Sequence, residues 1–213
     1  MTMPLAIESR GGRLAGDLAV PAESVGIVVF AHGSGSSRHS RRNRAVAAIL
    51  QESGLATLLL DLLTEAEEQV DARTRQLRFD IGLLAGRVIT AVEQITEHPA
   101  ARGLPVGLFG ASTGAAAALV AAAHDRSIRA VVSRGGRPDL ARDALPQVQA
   151  PTLLIVGSMD IQVLDLNREA SLQLAAASRV EVVQGATHLF EEPGALERVA
   201  QLAAAWFHDH LAA

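Results

Sequence analysis

The chain of 213 residues contains no cysteine, no lysine and no tyrosine. Each absence closes off a chemistry. Without cysteine there is no disulfide, no thiolate nucleophile and no thiolate metal site. Every basic residue is an arginine, which removes Schiff-base catalysis, a P-loop lysine and a Ser-Lys catalytic pair. The missing tyrosine removes the Tyr/Lys proton relay of short-chain dehydrogenases. No segment reaches the roughly 18–20 uninterrupted apolar residues of a membrane span, so no membrane partner is expected. Residues Met1 to Glu8 show neither a basic n-region nor a long apolar h-region, and cytoplasmic residence is the simplest expectation. There is no H-E-x-x-H pattern and no histidine cluster at ligand spacing apart from His208 and His210, so no metal or organic cofactor is expected. Serine, histidine and the carboxylates remain as catalytic groups.

What is present describes an ordinary globular chain. Apolar residues make up 49% and charged ones 20%. The net charge of −4 gives no reason to expect nucleic acid or an anionic surface as partner. The length suits one well-buried core. No repeat, linker or shift of composition divides it, so a single domain over 1–213 is expected, as a monomer or homodimer acting on a small molecule.

Apolar runs and turn residues place the elements. Residues 4–20 read as two short strands joined at Gly11-Gly12, closed by Pro21. The continuous apolar run at 26–31 reads as a strand buried on both faces of a sheet, 56–60 as another buried strand, and 104–109, 128–133, 152–156 and 180–183 as further strands. Between them fall helix patterns at 41–52, 72–97, 115–124, around 140–145, 166–176 and 195–211, with an acidic loop at 65–71. Strand and helix alternate from residue 26 onward. This is the signature of right-handed βαβ crossovers and a mostly parallel sheet covered on both faces.

In such sheets, functional loops lie at the carboxyl ends of the strands. The strand at 104–109 leads into Gly110-Ala111-Ser112-Thr113-Gly114, a G-x-S-x-G pentapeptide, and then into an alanine-rich helix. By chance alone the five-residue pattern occurs in on the order of one chain in ten of this length, so its placement matters more than its letters. Strand–turn–helix is the setting in which a serine hydroxyl is pushed out at the edge of a sheet. The same edge receives His32-Gly33-Ser34-Gly35, Asp61, Arg134, Gly157-Ser158-Met159-Asp160 and Gly185-Ala186-Thr187-His188. A serine, an aspartate and a histidine are thus collected in the order Ser112, Asp160, His188.

With these residues in place the chain resembles an α/β-hydrolase, and within that superfamily the small, lidless dienelactone-hydrolase-like group. The resemblance covers essentially the whole chain and implies an α/β-hydrolase fold with an N-terminal antiparallel hairpin and no substantial lid. Dienelactone hydrolases proper use a cysteine nucleophile, whereas this chain has Ser112, so the resemblance implies generic serine-esterase chemistry rather than a particular lactone. A serine hydroxyl needs a base during attack. His188 is the candidate base, and Asp160 would orient its imidazole and stabilise the imidazolium. Asp165 and Asp139 are rivals for that third role. The superfamily pattern also implies an oxyanion hole from the Thr113 N–H and one N–H of the loop after the first parallel strand, assigned to Ser34 with Gly35 as the alternative. His32 is expected to shape that loop rather than act as a base.

Arg38, Arg41, Arg42 and Arg44 form the strongest local charge bias. They read either as a solvated helix start or, with Arg134 or Arg137, as an anion-recognition rim beside the site. Arg134 follows its strand directly and is the foremost substrate-binding candidate, with Ile161 and Leu189 beside the triad residues. The stretch from 134 to 151 is too short for a substantial lid, which favours small acyl groups. The expected activity is hydrolysis of small carboxylic esters, lactones included, through an acyl-enzyme. The same triad would serve acyl transfer or perhydrolysis. A catalytically idle fold acting as a binding or regulatory partner is the reading from another class.

Overall fold

The computed structural model describes residues 2–212. Eight strands form one sheet in the order β1-β2-β4-β3-β5-β6-β7-β8. They are β1 (Thr2–Ser9), β2 (Gly12–Ala19), β3 (Ile27–Ala31), β4 (Ala56–Leu60), β5 (Val106–Ala111), β6 (Ile128–Arg134), β7 (Thr152–Gly157) and β8 (Ser178–Val183). The hairpin β1–β2 is antiparallel, and β2 joins β4 antiparallel. Every other pairing is parallel. Every residue of β3, β4, β5 and β7 is buried, which is why these segments are apolar without alternation.

Among the described residues six α-helices cover the sheet: α1 (Arg41–Glu52), α2 (Glu65–Thr74), α3 (Ile81–Glu97), α4 (Thr113–His124), α5 (Ile161–Ser171) and α6 (Ala195–Leu211). α1 packs on α6 and α3 packs on α4, and the apolar core divides accordingly into two large clusters. α4 is buried through most of its length, and its run of alanines allows the close approach to the sheet and α3 that larger side chains would forbid.

Four expectations are corrected. The acidic stretch 65–71 is not a loop but the start of α2. Thr64 Oγ1 accepts from Glu67 N–H and the Glu67 carboxylate accepts from Thr64 N–H, a reciprocal cap that satisfies two orphan donors. The single long helix expected over 72–97 is interrupted: α2 ends at left-handed Arg75, a short 3-10 turn spans Leu77–Phe79, and α3 begins behind the Asp80 cap. The helix expected at 166–176 lies at Ile161–Ser171, starting directly after Asp160. The short helix expected around 140–145 is a 3-10 segment, Pro138–Gln147, kinked at Arg142.

Candidate active site

β5 ends in the elbow. Ser112 has φ 51° and ψ −120°, a left-handed conformation that costs of order 1–3 kcal/mol for a residue with a Cβ. Neighbours hold it there. Ser112 N–H donates to the Arg134 carbonyl (3.2 Å), and the Ser112 carbonyl accepts from Ala115 N–H and Arg137 N–H (3.1 Å each). The flanking glycines are required by space. A Cβ on Gly110 would collide with the backbone of Ala115, and one on Gly114 with the Ala31 and His32 carbonyls. The pentapeptide is therefore a packing solution for a strand and a helix meeting at too small a distance for side chains.

Two further loops complete the edge. β7 ends at Gly157, and Asp160 occupies the N-cap position of α5. Its carboxylate does not cap the helix. Oδ2 lies 2.6 Å from His188 Nδ1. A carboxylate only accepts, so the imidazole proton sits on Nδ1 and the Nε2 lone pair is left free. The two loops are tied to each other: Met159 N–H donates to the Ala186 carbonyl (3.0 Å), and Gly185 N–H donates to Ser158 Oγ (2.8 Å). Thr187 Oγ1 donates to Glu192 (2.6 Å), a bond that holds the Glu192 carboxyl below its ordinary range. The rivals for the third role are engaged elsewhere, Asp139 with Arg137 (2.7 Å) and Asp165 with exposed Arg168 (3.3 Å).

Ser112 and His188 line one cleft of about 200 Å³ together with Ser34, Arg134 and Leu189. The N–H groups of Ser34 and Thr113 make no hydrogen bond among the described residues. An N–H at the first turn of a helix has no partner within it, so Thr113 presents a free donor beside Ser112. His32, at the end of β3, is buried. Its Nε2 accepts from Leu62 N–H (3.1 Å), so its proton is on Nδ1, which donates to the Gly33 carbonyl (2.9 Å). Burial lowers its pKa, and the ring is a neutral strut for the loop carrying Ser34.

Of the arginines, only Arg134 and Arg42 reach the cleft. Arg38 is spent on Asp61 and Asp17, and Arg137 on Asp139. Arg134 is 8% exposed, lies over the Phe109 ring (6.0 Å to the centroid), and leaves Nη1 buried without a partner. Burial, with nearby Arg42 adding, lowers its pKa to about 10, so it remains charged at neutral pH. Ile161 is not brought into the cleft; it is 67% exposed at the start of α5. Asn43, Ser36 and Ser40 line the cleft without having been singled out in the sequence. Asn43 is buried with Oδ1 unpartnered, a polar residue hidden within an arginine-rich helix start. Among the described residues no group of three or more His, Asp or Glu side chains is arranged to hold a metal ion, and no helix is long and apolar enough to cross a membrane.

A serine on a strained elbow and an imidazole held by a carboxylate thus line one cleft, with Ser34 on its wall and the unengaged Thr113 N–H beside the serine. Comparison with known proteins defines the class. Residues 24–206 match the family model described as an alpha/beta hydrolase domain, and the chain belongs to that family. A crystal structure of a dienelactone hydrolase from Anabaena variabilis superposes with a TM-score of 0.97 at 56% identity, covering 99% of this chain and 98% of that one. Est1E from Butyrivibrio proteoclasticus shares the fold, with a TM-score of 0.81 at 17% identity and 99% of each chain covered. Proteins from two strains of Mycobacterium tuberculosis, each provisionally named a phosphoribosyl transferase, are 60% identical over 199 residues. Those residues are 93% of this chain and 44% of the relatives, so the chain spans less than half their length.

Proposed function

We propose that the chain is a serine hydrolase that cleaves small carboxylic esters, lactones included, through an acyl-enzyme. Ser112 is the nucleophile, His188 the general base and acid, and Asp160 the group that orients the imidazole. The N–H groups of Ser34 and Thr113 receive the oxyanion, and Arg134 and Leu189 contact the substrate. The observation that carries the reading is the 2.6 Å Asp160–His188 bond in the loop pair whose histidine shares a 200 Å³ cleft with the strained Ser112.

The steps follow from these groups. His188 Nε2 takes the Ser112 proton as Oγ bonds to the ester carbon. Negative charge develops on the carbonyl oxygen, where donors fixed in advance stabilise it without reorganising. His188 returns the proton to the departing alcohol. Water, activated by the same imidazole, then releases the acid. Transfer of the acyl group to another nucleophile would use the same residues and differ only in the acceptor. The transferase name of the Mycobacterium tuberculosis relatives belongs to proteins more than twice this length, and no phosphoribosyl transfer is assigned to this chain.

A fluorophosphonate probe tests the reading. It is expected to label the wild-type chain at Ser112 and to leave Ser112→Ala unlabelled. Labelling at Ser34, Ser36 or Ser133 instead would remove Ser112 from the role. A series of p-nitrophenyl esters is expected to show turnover highest for short acyl groups, and a preference for long chains would contradict the small cleft.

A further inference from the structure

A second cavity, about 500 Å³, backs onto the loop that carries Ser34. Gly33, Ser34, Ser36 and Ser40 wall both this chamber and the Ser112 cleft. Its apolar side is leucine: Leu62 and Leu63 after β4, and Leu84 from α3. Its polar side comes from α2 and the 3-10 turn behind it, through Glu68, Asp71 and Arg78.

The polar groups are unequally occupied. The buried Asp71 carboxylate accepts from the Arg78 backbone N–H (3.1 Å) and from Nε (2.6 Å), and Arg78 Nη2 donates to the Asp71 carbonyl (3.2 Å). This clamp fixes the guanidinium and leaves Nη1 as the free donor. Nη1 lies 3.1 Å from the point that a Cβ on Gly35 would occupy, against the loop whose residues line both cavities. The Glu68 carboxylate is solvent-exposed at the chamber mouth and has no hydrogen-bond or ion-pair partner among the described residues; partial desolvation, reinforced by repulsion from Asp61, raises its pKa. The Ser34 and Ser36 hydroxyls are also unengaged, whereas Ser37 and Ser40 accept from His39 and Asn43 N–H groups.

The chamber therefore offers one fixed cationic donor, one anionic acceptor, two hydroxyls and the His39 ring, whose Nδ1 is engaged by Arg44 Nη2 (2.7 Å), beside a leucine surface. A ligand of either charge would meet a like charge. An alkyl ligand would desolvate Arg78 Nη1 and Glu68 without replacing their hydrogen bonds, a penalty of about 1–3 kcal/mol per group. Hydroxyl groups both donate and accept, so a polyhydroxylated chain can satisfy Glu68 and Arg78 together while its carbon face lies on the leucines.

We propose that this chamber binds a neutral polyhydroxylated group, a polyol or sugar, forming the alcohol half of the ester cleaved at Ser112. The inference rests on the serine-hydrolase reading above. In the reaction Ser112 Oγ bonds to the acyl carbon, the bond from that carbon to the polyol oxygen breaks, and the polyol leaves with the proton that His188 took from Ser112. Water then enters and the acyl group departs as the acid.

The test compares acetyl esters of methanol, n-pentanol and a pentitol on the intact chain. The pentitol ester is expected to have kcat/KM on the order of tenfold above the methyl ester, with the n-pentyl ester giving no such gain. Glu68→Ala, and Ala72→Phe on the chamber rim, are each expected to bring the pentitol-to-methyl ratio towards one. As a readout independent of turnover, the free pentitol is expected to shift the backbone amide resonances of Gly35 and Glu68 in Ser112→Ala, and not in Ser112→Ala/Ala72→Phe. Equal gains from n-pentyl and pentitol esters, a ratio that neither variant moves, or an absence of shifts would each overturn the chamber's role while leaving ester hydrolysis and Ser112 labelling intact. Absence of turnover on all three esters together with absence of Ser112 labelling would instead overturn the reading on which the proposal rests.

Discussion

His188 Nδ1 and Asp160 Oδ2 lie 2.6 Å apart although their loops follow different strands, β8 and β7. The pairing defines one tautomer and points the free Nε2 lone pair away from the carboxylate. Asp160→Asn would keep the shape but offer an amide donor to Nδ1, favouring the wrong tautomer. Both Asp160→Asn and His188→Ala are expected to lower kcat by roughly three to four orders of magnitude, and the double variant is expected to be little worse than the weaker single one. Steady-state kinetics with a p-nitrophenyl ester checks this. Near-wild-type turnover in Asp160→Asn, with loss in Asp165→Asn or Asp139→Asn, would reassign the third member.

His32 supplies a dependence of stability on pH. Its Nε2 accepts from Leu62 N–H, which requires the neutral ring, and burial lowers its pKa below the ordinary 6.5. The unfolded chain therefore binds this proton more readily than the folded one. The sign follows: the contribution of neutral His32 is fully present above about pH 6.5 and declines as pH falls below that value. Thermal unfolding followed from about pH 7.5 to about pH 5.5 is expected to show a falling Tm in the wild type and a shallower fall in His32→Gln, which starts from a lower Tm. Identical slopes would mean that His32 does not titrate with unfolding.

The parts of this architecture that were legible before any coordinates were those written as local signals. Apolar runs marked the central strands, and the rule that loops gather at strand carboxyl ends brought Ser112, Asp160 and His188 to one edge. α2 was misread because its acidic run looked like a solvated loop, although Thr64 and Glu67 stood at capping-box spacing. The expected span for α5 starts five residues late: the helix opens on Ile161, which is apolar yet 67% exposed, so the apolar pattern does not mark its first turn. The second cavity had no signal of its own. It depends on how α2 and the 3-10 turn fold back onto the Ser34 loop, and nothing local in Glu68 or Arg78 reports that.

Two glycine substitutions separate space from conformation. Gly114→Ala would push a Cβ into the Ala31 and His32 carbonyls, backbone that cannot yield cheaply. A loss of about 1–3 kcal/mol is expected, together with loss of activity as the elbow shifts. Gly86 lies in α3 with nothing within 4 Å of its would-be Cβ, and Gly86→Ala is expected to gain about 0.5–1 kcal/mol with activity unchanged. Denaturant unfolding of both variants checks the pair. A neutral Gly114→Ala would mean that the strand–helix approach is looser than the geometry described.

Arg134 links stability to specificity. A guanidinium 8% exposed, with Nη1 unpartnered and Arg42 rather than a carboxylate nearby, is a buried charge without compensation in the free protein. Its backbone pairs with Ala111, one residue before Ser112, and it lines the same cleft as Ser112. A substrate carrying a carboxylate or phosphate on that side would supply the missing partner through charge-assisted hydrogen bonds, and such binding can position the ester for attack. The wild type is therefore expected to show kcat/KM for an anionic ester on the order of tenfold above its neutral isostere. Arg134→Gln is expected to bring that ratio near one. Arg134→Met keeps an unbranched stem against Phe109 and removes the charge, so it is expected to lose the same ratio while holding or raising Tm, because the desolvated cation is gone. Paired kinetics and thermal unfolding of the three proteins decide the matter. Equal anionic-to-neutral ratios in all three would show that Arg134 does not read substrate charge, and a large fall in Tm for Arg134→Met would show that the guanidinium serves the fold instead.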